Sequence, residues 1–553
     1  MIGADAIATE LRTAGVEIAF GLPGAHNLAL WPACAAAGVR IVGMRHEQGS
    51  AYAADGYARA TGKVGVALVT TGPGAANTVA AVGEAWASRS PVVVIATDIP
   101  VALRRPGVYR GVLHETTDQA ALFAPITKGR FTSVAAALAA ATSAPVRPAY
   151  AGVPADVLTA PAASVEAEPP EASVRATAVP ASSEPWPERH VAEGDKSGKL
   201  ETAAVESGDP APLLDALAAS RRPLIWVGGG ARDAGTQLDR FARRLAAPVV
   251  TTYQARGVLA PDHPLLVRAP PHEPEVTALI EQADLAVIVG SDLDQMNTMQ
   301  WRLPLPERRV AINLDAADAT KNYAMDAVVE SDATVIGGIA DKIERREPWA
   351  GDLAAAGAAI RDRLGAATET EDAIAFLEHT EAALPADALV YADMCVAGYW
   401  LAGHLRVETP RGLHYPMGWG TLGFALPAAV GGSVAARTVA FTGDGGALFG
   451  LGELSALAAL ETPCTIVVVD DDGYGMLRYG HGKTAANELP PVDFVQAAGA
   501  FGIPATRVEG VGTDYAKALA EAVNADQPRV VHVRARLHPP VSTSPFWPLK
   551  EPA

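Results

Sequence analysis

The sequence predicts three three-layer α/β domains, each built on a mainly parallel sheet. Three observations predict it. Short apolar runs recur along the chain and alternate with amphipathic stretches, which is the pattern of βαβ units. The 553 residues exceed what one hydrophobic core supports, and at about 150 residues per domain they divide into three or four. Two breaks in pattern then part the runs into three blocks.

The first block, residues 1–158, has strand-like runs at 16–20, 41–44, 64–70 and 91–96, with an amphipathic helical stretch at 48–60. Residues 159–210 are rich in Pro, Ala, Ser and Glu and poor in large apolar side chains, so they read as a linker. The second block, 211–345, repeats the pattern with runs at 223–227, 248–252, 285–290 and 310–314. A stretch of helical pattern at 350–372 leads into the third block, 373–553, with runs at 389–392, 438–442, 465–469 and 530–533.

Composition narrows the function. Asp and Glu number 62 against 44 Lys and Arg, a formal charge of −18. Such a surface repels phosphate, so nucleic-acid and anionic-membrane partners are not expected. At 49% hydrophobic residues the chain has ample material for cores and is not a disordered protein. Three cysteines without a CxxC pair support neither a disulfide framework nor a cysteine zinc site. The start lacks a basic leader and no uncharged apolar run reaches about 18 residues. A cytoplasmic protein is the expectation.

The strongest local motif is VAFTGDGGALFGLGEL at 439–454, followed by CTIVVVDDDGYGMLRYG at 464–480. Asp444 and Asp471 each follow an apolar strand, and the carboxyl ends of strands form the ligand crevice of an open parallel sheet. A hard divalent ion takes one or two carboxylates plus phosphate oxygens. Adjacent glycines let backbone N–H groups approach a diphosphate.

This pairing resembles the signature of thiamine diphosphate-dependent enzymes, in which GDG precedes two asparagines. Gly443-Asp444-Gly445 matches it, while Asp470-Asp471 stands in place of the asparagines. The resemblance implies magnesium held by the side chains of Asp444 and Asp471 and the carbonyl of Gly473. The added charge at Asp471 departs from the pattern. Upstream, Gly21-Leu22-Pro23-Gly24, Arg45-His46-Glu47-Gln48 and Gly72-Pro73-Gly74-Ala75-Ala76-Asn77 are similar to the pyrimidine-binding domain of the acetolactate synthase and 2-oxo acid decarboxylase branch. Asp118-Gln119 and residues 125–128 extend it. Residues 420–427, GTLGFALP, resemble the segment beneath the cofactor.

Carried over position by position, the resemblance implies these roles. Glu47 hydrogen-bonds the pyrimidine and activates the cofactor, although a lone glutamate at a helix start is ordinarily a helix-dipole partner. Leu422 props the cofactor rings into their bent shape, and Gly420 offers its carbonyl. Pro23, Gly72 and Asn77 border the pyrimidine. Gly445, Gly446, Tyr474, Gly475 and Met476 border the diphosphate. His26, in GLPGAH, matches benzaldehyde lyase and is the expected proton-handling residue, because imidazole titrates near neutrality. Gln119 is the further catalytic candidate, with His114 and Glu115 nearby.

Gly475-Met476-Leu477-Arg478 is similar to benzoylformate decarboxylase, and Leu477 stands where pyruvate-type decarboxylases keep a proton-donating glutamate. The expected activity is therefore acetolactate-synthase-like, decarboxylating a 2-oxo acid and joining the remainder to an aldehyde or ketone. The alternatives are an aromatic 2-oxo acid decarboxylase, a benzaldehyde-lyase-like carboligase, or a weakly active regulatory homologue. The glycine triplet 228–230 does not match a dinucleotide fingerprint, so FAD is not expected. The resemblance sets Glu47 of one subunit against Asp444 of its neighbour, which implies a homodimer or homotetramer. The aromatic, Pro-rich tail at 538–547 is expected to cover the cofactor.

Overall fold

The computed structural model describes residues 1–105, 108–162 and 209–540. Most of the expected linker and the aromatic tail residues 544–547 lie outside the described residues.

The described residues form three sheets in which every strand pairing is parallel. The first contains β1 (Ile18–Gly21), β2 (Arg40–Gly43), β3 (Gly65–Val69), β4 (Val92–Asp98), β5 (Arg130–Phe131) and β6 (Ala149–Pro154), in the order β2-β1-β3-β4-β6-β5. The central sheet holds β7 (Pro223–Val227), β8 (Val249–Thr251), β9 (Leu285–Val289), β10 (Arg309–Asn313) and β11 (Ala327–Glu330), ordered β11-β10-β9-β7-β8. The third holds β12 (Leu389–Ala392), β13 (Leu413–His414), β14 (Thr438–Gly443), β15 (Cys464–Asp470), β16 (Ala505–Glu509) and β17 (Arg529–Arg534), ordered β13-β12-β14-β15-β17-β16.

The first and third sheets therefore share one topology. In each, strand order reverses between the first and third strands in sequence, and the crevice at such a switch point is where open α/β sheets take ligands. In the first sheet the loops after β1 and β3 flank it, carrying His26 and Gly72–Asn77. In the third, the segments after β12 and β14 flank it, carrying Asp393 and Asp444.

The first and third domains are joined by two helices, Glu47–Thr61 and Ala425–Ser433. Twelve of the fifteen residues in the first helix are buried, which differs from the expected amphipathic stripe. One side packs on its own sheet and the other on Ala425–Ser433. A Cβ at Gly56 would lie 2.1 Å from the Ala428 carbonyl oxygen, and one at Gly431 would lie 1.9 Å from that of Ala53. Only glycine allows this backbone approach. The polar residues caught in the seam are paired: Arg59 binds Asp55 at 2.7 Å and Glu84 at 3.2 Å, and donates to the Tyr415 carbonyl. A buried pair of this kind is costly to break, because one charge would be left alone.

Candidate functional site

On the third sheet, β14 ends at Gly443 and Asp444 opens the helix Asp444–Phe449. β15 runs to Asp470, and a turn through Asp471, Asp472 and Gly473 leads into the helix Gly475–His481. These segments border a cavity of about 250 Å³. Its lining includes Asp444, Asp471 and Gly473, the apolar Met394, Leu422, Met476 and Leu477, and Gly420, Gly445, Gly446, Tyr474 and Gly475.

The carboxyls in this cavity are electrostatically crowded. Burial, then the nearby Asp471 and Asp470, push Asp444 up to about 7. Burial also pushes Asp471 up to about 6, although Arg478 at 3.4 Å opposes it. Asp470 differs. Burial works against its charge, but hydrogen bonds from His532, Asp472 N–H and Arg534 outweigh that and hold it down at about 2. Asp470 is thus tied off, while a further cation beside Asp444 and Asp471 would offset the burial and the neighbouring carboxyls that raise them. Among the described residues no group of three or more His, Cys, Asp or Glu could hold a metal ion. A cation here would complete its shell with backbone or phosphate oxygens, the habit of magnesium.

On the first sheet, Glu47 begins its helix directly after β2 and is 8% exposed. Asn77 Nδ2 donates to Glu47 Oε2 at 3.0 Å. His26, in the loop after β1, places Nδ1 2.8 Å from Thr71 Oγ1. Its ring stands edge-on to that of His114, with centroids 5.5 Å apart. Burial, and then His114, lower the His26 pKa. Pro23 and Gly24 turn the chain here, and Gly24 N–H donates to Asn27.

Gln119 has its amide fully engaged inside the domain. Its Oε1 accepts from Gly72 N–H, and its Nε2 donates to the Thr97 carbonyl and the Tyr150 hydroxyl. It positions the Gly72 turn. Glu115 accepts from Arg110 and Val112 N–H groups within its own loop.

The structure thus gathers the expected site residues in two groups, each a candidate half-site: Glu47, Asn77, His26 and Gly72 on the first domain, and Asp444, Asp471, Gly473 and Leu422 on the third. Among the described residues, none from the first domain lines the Asp444 cavity.

Two carboxylates escaped the sequence reading. Asp393 follows β12 at the switch point and is fully buried; burial pushes it up to about 6. It accepts from Thr442 Oγ1 and from Met394, Gly423 and Phe424 N–H groups, so it pins the Leu422 loop against β14. Its signal was present, because it stands at a strand end as Asp444 does. Glu453 carried no such signal. In the central sheet, Gly228 is spent on packing: a Cβ there would lie 2.3 Å from the Gly290 carbonyl oxygen across the switch point.

Both candidate half-sites fall in segments that match known proteins. The N-terminal TPP binding domain of thiamine pyrophosphate enzymes matches residues 1–122, the central domain 211–336 and the C-terminal TPP binding domain 393–533. A probable 2-ketoarginine decarboxylase of Pseudomonas aeruginosa is 33% identical over 490 residues, covering 86% of this chain and 83% of the relative. The chain belongs to the thiamine pyrophosphate enzyme family. A second relative, a probable acetolactate synthase large subunit of Methanocaldococcus jannaschii, is 28% identical over 570 residues and covers 96% of this chain and 92% of its own length. The thiamine diphosphate-dependent 4-hydroxybenzoylformate decarboxylase of Rhodococcus jostii shares the fold, with a TM-score of 0.76 at 23% identity, covering 97% of this chain and 99% of the other. For a thiamine pyrophosphate enzyme, the crowded Asp444–Asp471 pair is a chemically fitting anchor for a cation-bridged diphosphate. No helix among the described residues is long and apolar enough to cross a membrane.

Proposed function

We propose that this thiamine pyrophosphate enzyme decarboxylates a 2-oxo acid and passes the remaining acyl unit to a second carbonyl compound. The observation that carries the reading is the wall of the third-domain cavity. Met394, Leu422, Met476 and Leu477 present no acid there. An apolar wall offers no proton to a reacting carbon, so transfer to another carbonyl competes well with protonation. When bound, thiamine diphosphate supplies the electron sink for breaking the bond to the carboxylate.

The chain's own residues then divide the work. Asp444, Asp471 and the Gly473 carbonyl would hold magnesium, which would supply the positive charge that the diphosphate needs. Leu422 and Gly420 shape the floor. Glu47, steadied by Asn77, would orient the pyrimidine end and hold a proton against it, and His26 would handle protons on the substrate side. We infer that two chains complete each site, Glu47 of one facing Asp444 of the other. Exposed apolar side chains close in sequence to the candidate site residues support this: Leu28 and Leu113 beside His26 and His114 on the first domain, and Phe449 and Leu477 on the two helices that follow Asp444 and Asp471 on the third.

A second reading, decarboxylation with release of the aldehyde, is favoured by the likeness to the probable 2-ketoarginine decarboxylase and by the His26–His114 pair. Product analysis over a panel of 2-oxo acids, with and without an aldehyde acceptor, separates the two. Hydroxyketone or acetohydroxy acid as the main product supports transfer. Free aldehyde dominating for every accepted donor refutes it in favour of the second reading. Cofactor retention without turnover on any donor refutes both and leaves a regulatory homologue.

A further inference from the structure

The hydrogen bonds behind His26 fix which of its nitrogens carries the proton. Thr71 is completely buried and Thr97 is 1% exposed. The Thr71 hydroxyl donates its single proton to Thr97 Oγ1 at 3.0 Å. A hydroxyl has one proton and two lone pairs, so towards His26 it can only accept. The 2.8 Å contact with His26 Nδ1 is then an Nδ1–H bond donated to Thr71 Oγ1. Among the described residues Nε2 makes no hydrogen bond, and in the neutral ring it keeps its lone pair.

We propose that Thr71 is a positioning residue that locks His26 as the Nδ1–H tautomer, leaving Nε2 as a proton acceptor on the substrate side of the first-domain half-site. Three features support a built device. The Thr71 and Thr97 hydroxyls lie in a buried row that continues through the Thr97 carbonyl to Gln119 Nε2 and the Tyr150 hydroxyl. Gln119 Oε1 in turn fixes the N–H of Gly72, the neighbour of Thr71. His114, the ring beside His26, sits at φ 69°, a left-handed conformation uncommon outside glycine that persists only where its surroundings impose it. Its carbonyl oxygen lies 2.7 Å from where a Cβ on Gly72 would be, so the same turn that follows Thr71 also sets the second histidine. The lowered pKa of His26 keeps the ring neutral and able to accept.

The consequence is a direction for proton flow. Nε2 would take the proton from a hydroxyl on the reacting carbon while the bond from that carbon to the departing carbon breaks. The O–H pair becomes the new C=O bond and the broken bond's pair leaves with the departing carbon, and the resulting imidazolium would return the proton to solvent. His26 thereby starts each cycle as a base. This deepens the substrate-side role proposed above, but its test needs neither substrate nor cofactor, so the two ideas fail separately.

The test is nitrogen NMR of the full-length protein labelled with 15N in histidine, at a pH where His26 is neutral. His26→Gln identifies the resonances by their disappearance. In the parent, His26 should read as a single Nδ1–H form. Thr71→Val removes the acceptor, and Thr97→Val frees the Thr71 proton to turn towards Nδ1. Both should move His26 to the Nε2–H form, and Thr71→Ser should restore the parent signature. Should Thr71→Val not fold, the Thr97→Val and Thr71→Ser arms decide alone. A parent that reads Nε2–H, or a Thr97→Val protein that keeps Nδ1–H, overturns the proposal.

Discussion

Glu453, on the third domain, accepts a hydrogen bond at 3.0 Å from the backbone N–H of His46, on the first. It also accepts from Arg45 N–H, at 3.0 Å to its other oxygen. These are the two residues directly before Glu47, so the third domain of a chain fixes where that chain's Glu47 helix begins. Burial outweighs these bonds and pushes the Glu453 carboxyl up from 4.5 to about 7.

That shift makes a stability prediction. The folded protein binds the Glu453 proton more tightly than the unfolded chain, so stability declines as pH rises from about 4.5 towards 7. At 1.36 kcal/mol per pKa unit, the loss reaches about 3 kcal/mol. Glu453→Gln removes the titration, and its thermal midpoint should change less than the parent's between pH 5 and 7. Parallel curves would show that the carboxyl ionises alike in both states.

Asp444→Ala should abolish magnesium-dependent binding of thiamine diphosphate, because the cation loses a carboxylate it needs against the diphosphate charge. Titration calorimetry reads this directly, and an unchanged affinity would remove Asp444 from the site. Asp471→Asn should preserve or strengthen binding, since it removes the Asp471 charge that helps push Asp444 up.

Glu47→Gln should retain the cofactor yet slow exchange of its C2 proton in heavy water by roughly 100- to 10,000-fold, the range of a lost acid–base group. Proton NMR after quenching measures the rate. Exchange as fast as in the parent would show that Glu47 is only the start of a helix.

Leu477→Glu places an acid on the wall of the Asp444 cavity. It should shift the product mixture from carboligation towards free aldehyde, followed by chiral chromatography. An unaltered ratio with a working enzyme would mean that the proton reaching the product comes from elsewhere.

The sequence announced the fold through its buried parallel strands, because a strand covered on both faces reads as a continuous apolar run. The short edge strands β5 and β13 carry only two residues each and gave no such run. The amphipathic reading of 48–60 failed for a related reason. Ser50, Asp55 and Arg59 look solvent-facing in a linear pattern, but Asp55 and Arg59 meet each other and Glu84 inside the domain seam. In the site, Asp444, Asp471 and Glu47 were legible because glycines and strand ends frame them. Thr71, Thr97 and Glu453 were not, since their meaning lies in partners distant in the chain: Glu453 lies 407 positions from His46. Gln119 was legible as important, but its saturated amide shows that it acts on a turn.

The backbone contact of Gly56 with Ala428 and of Gly431 with Ala53 welds the first and third domains into one piece. Adaptation to a bulkier or smaller reactant must then come from parts that do not brace this weld. The helix Gly475–His481 is such a part, since none of its side chains is buried while Met476 and Leu477 border the cavity. Laboratory evolution of a new reactant range should therefore accumulate its changes along this short helix, and should find the two glycines closed to any replacement.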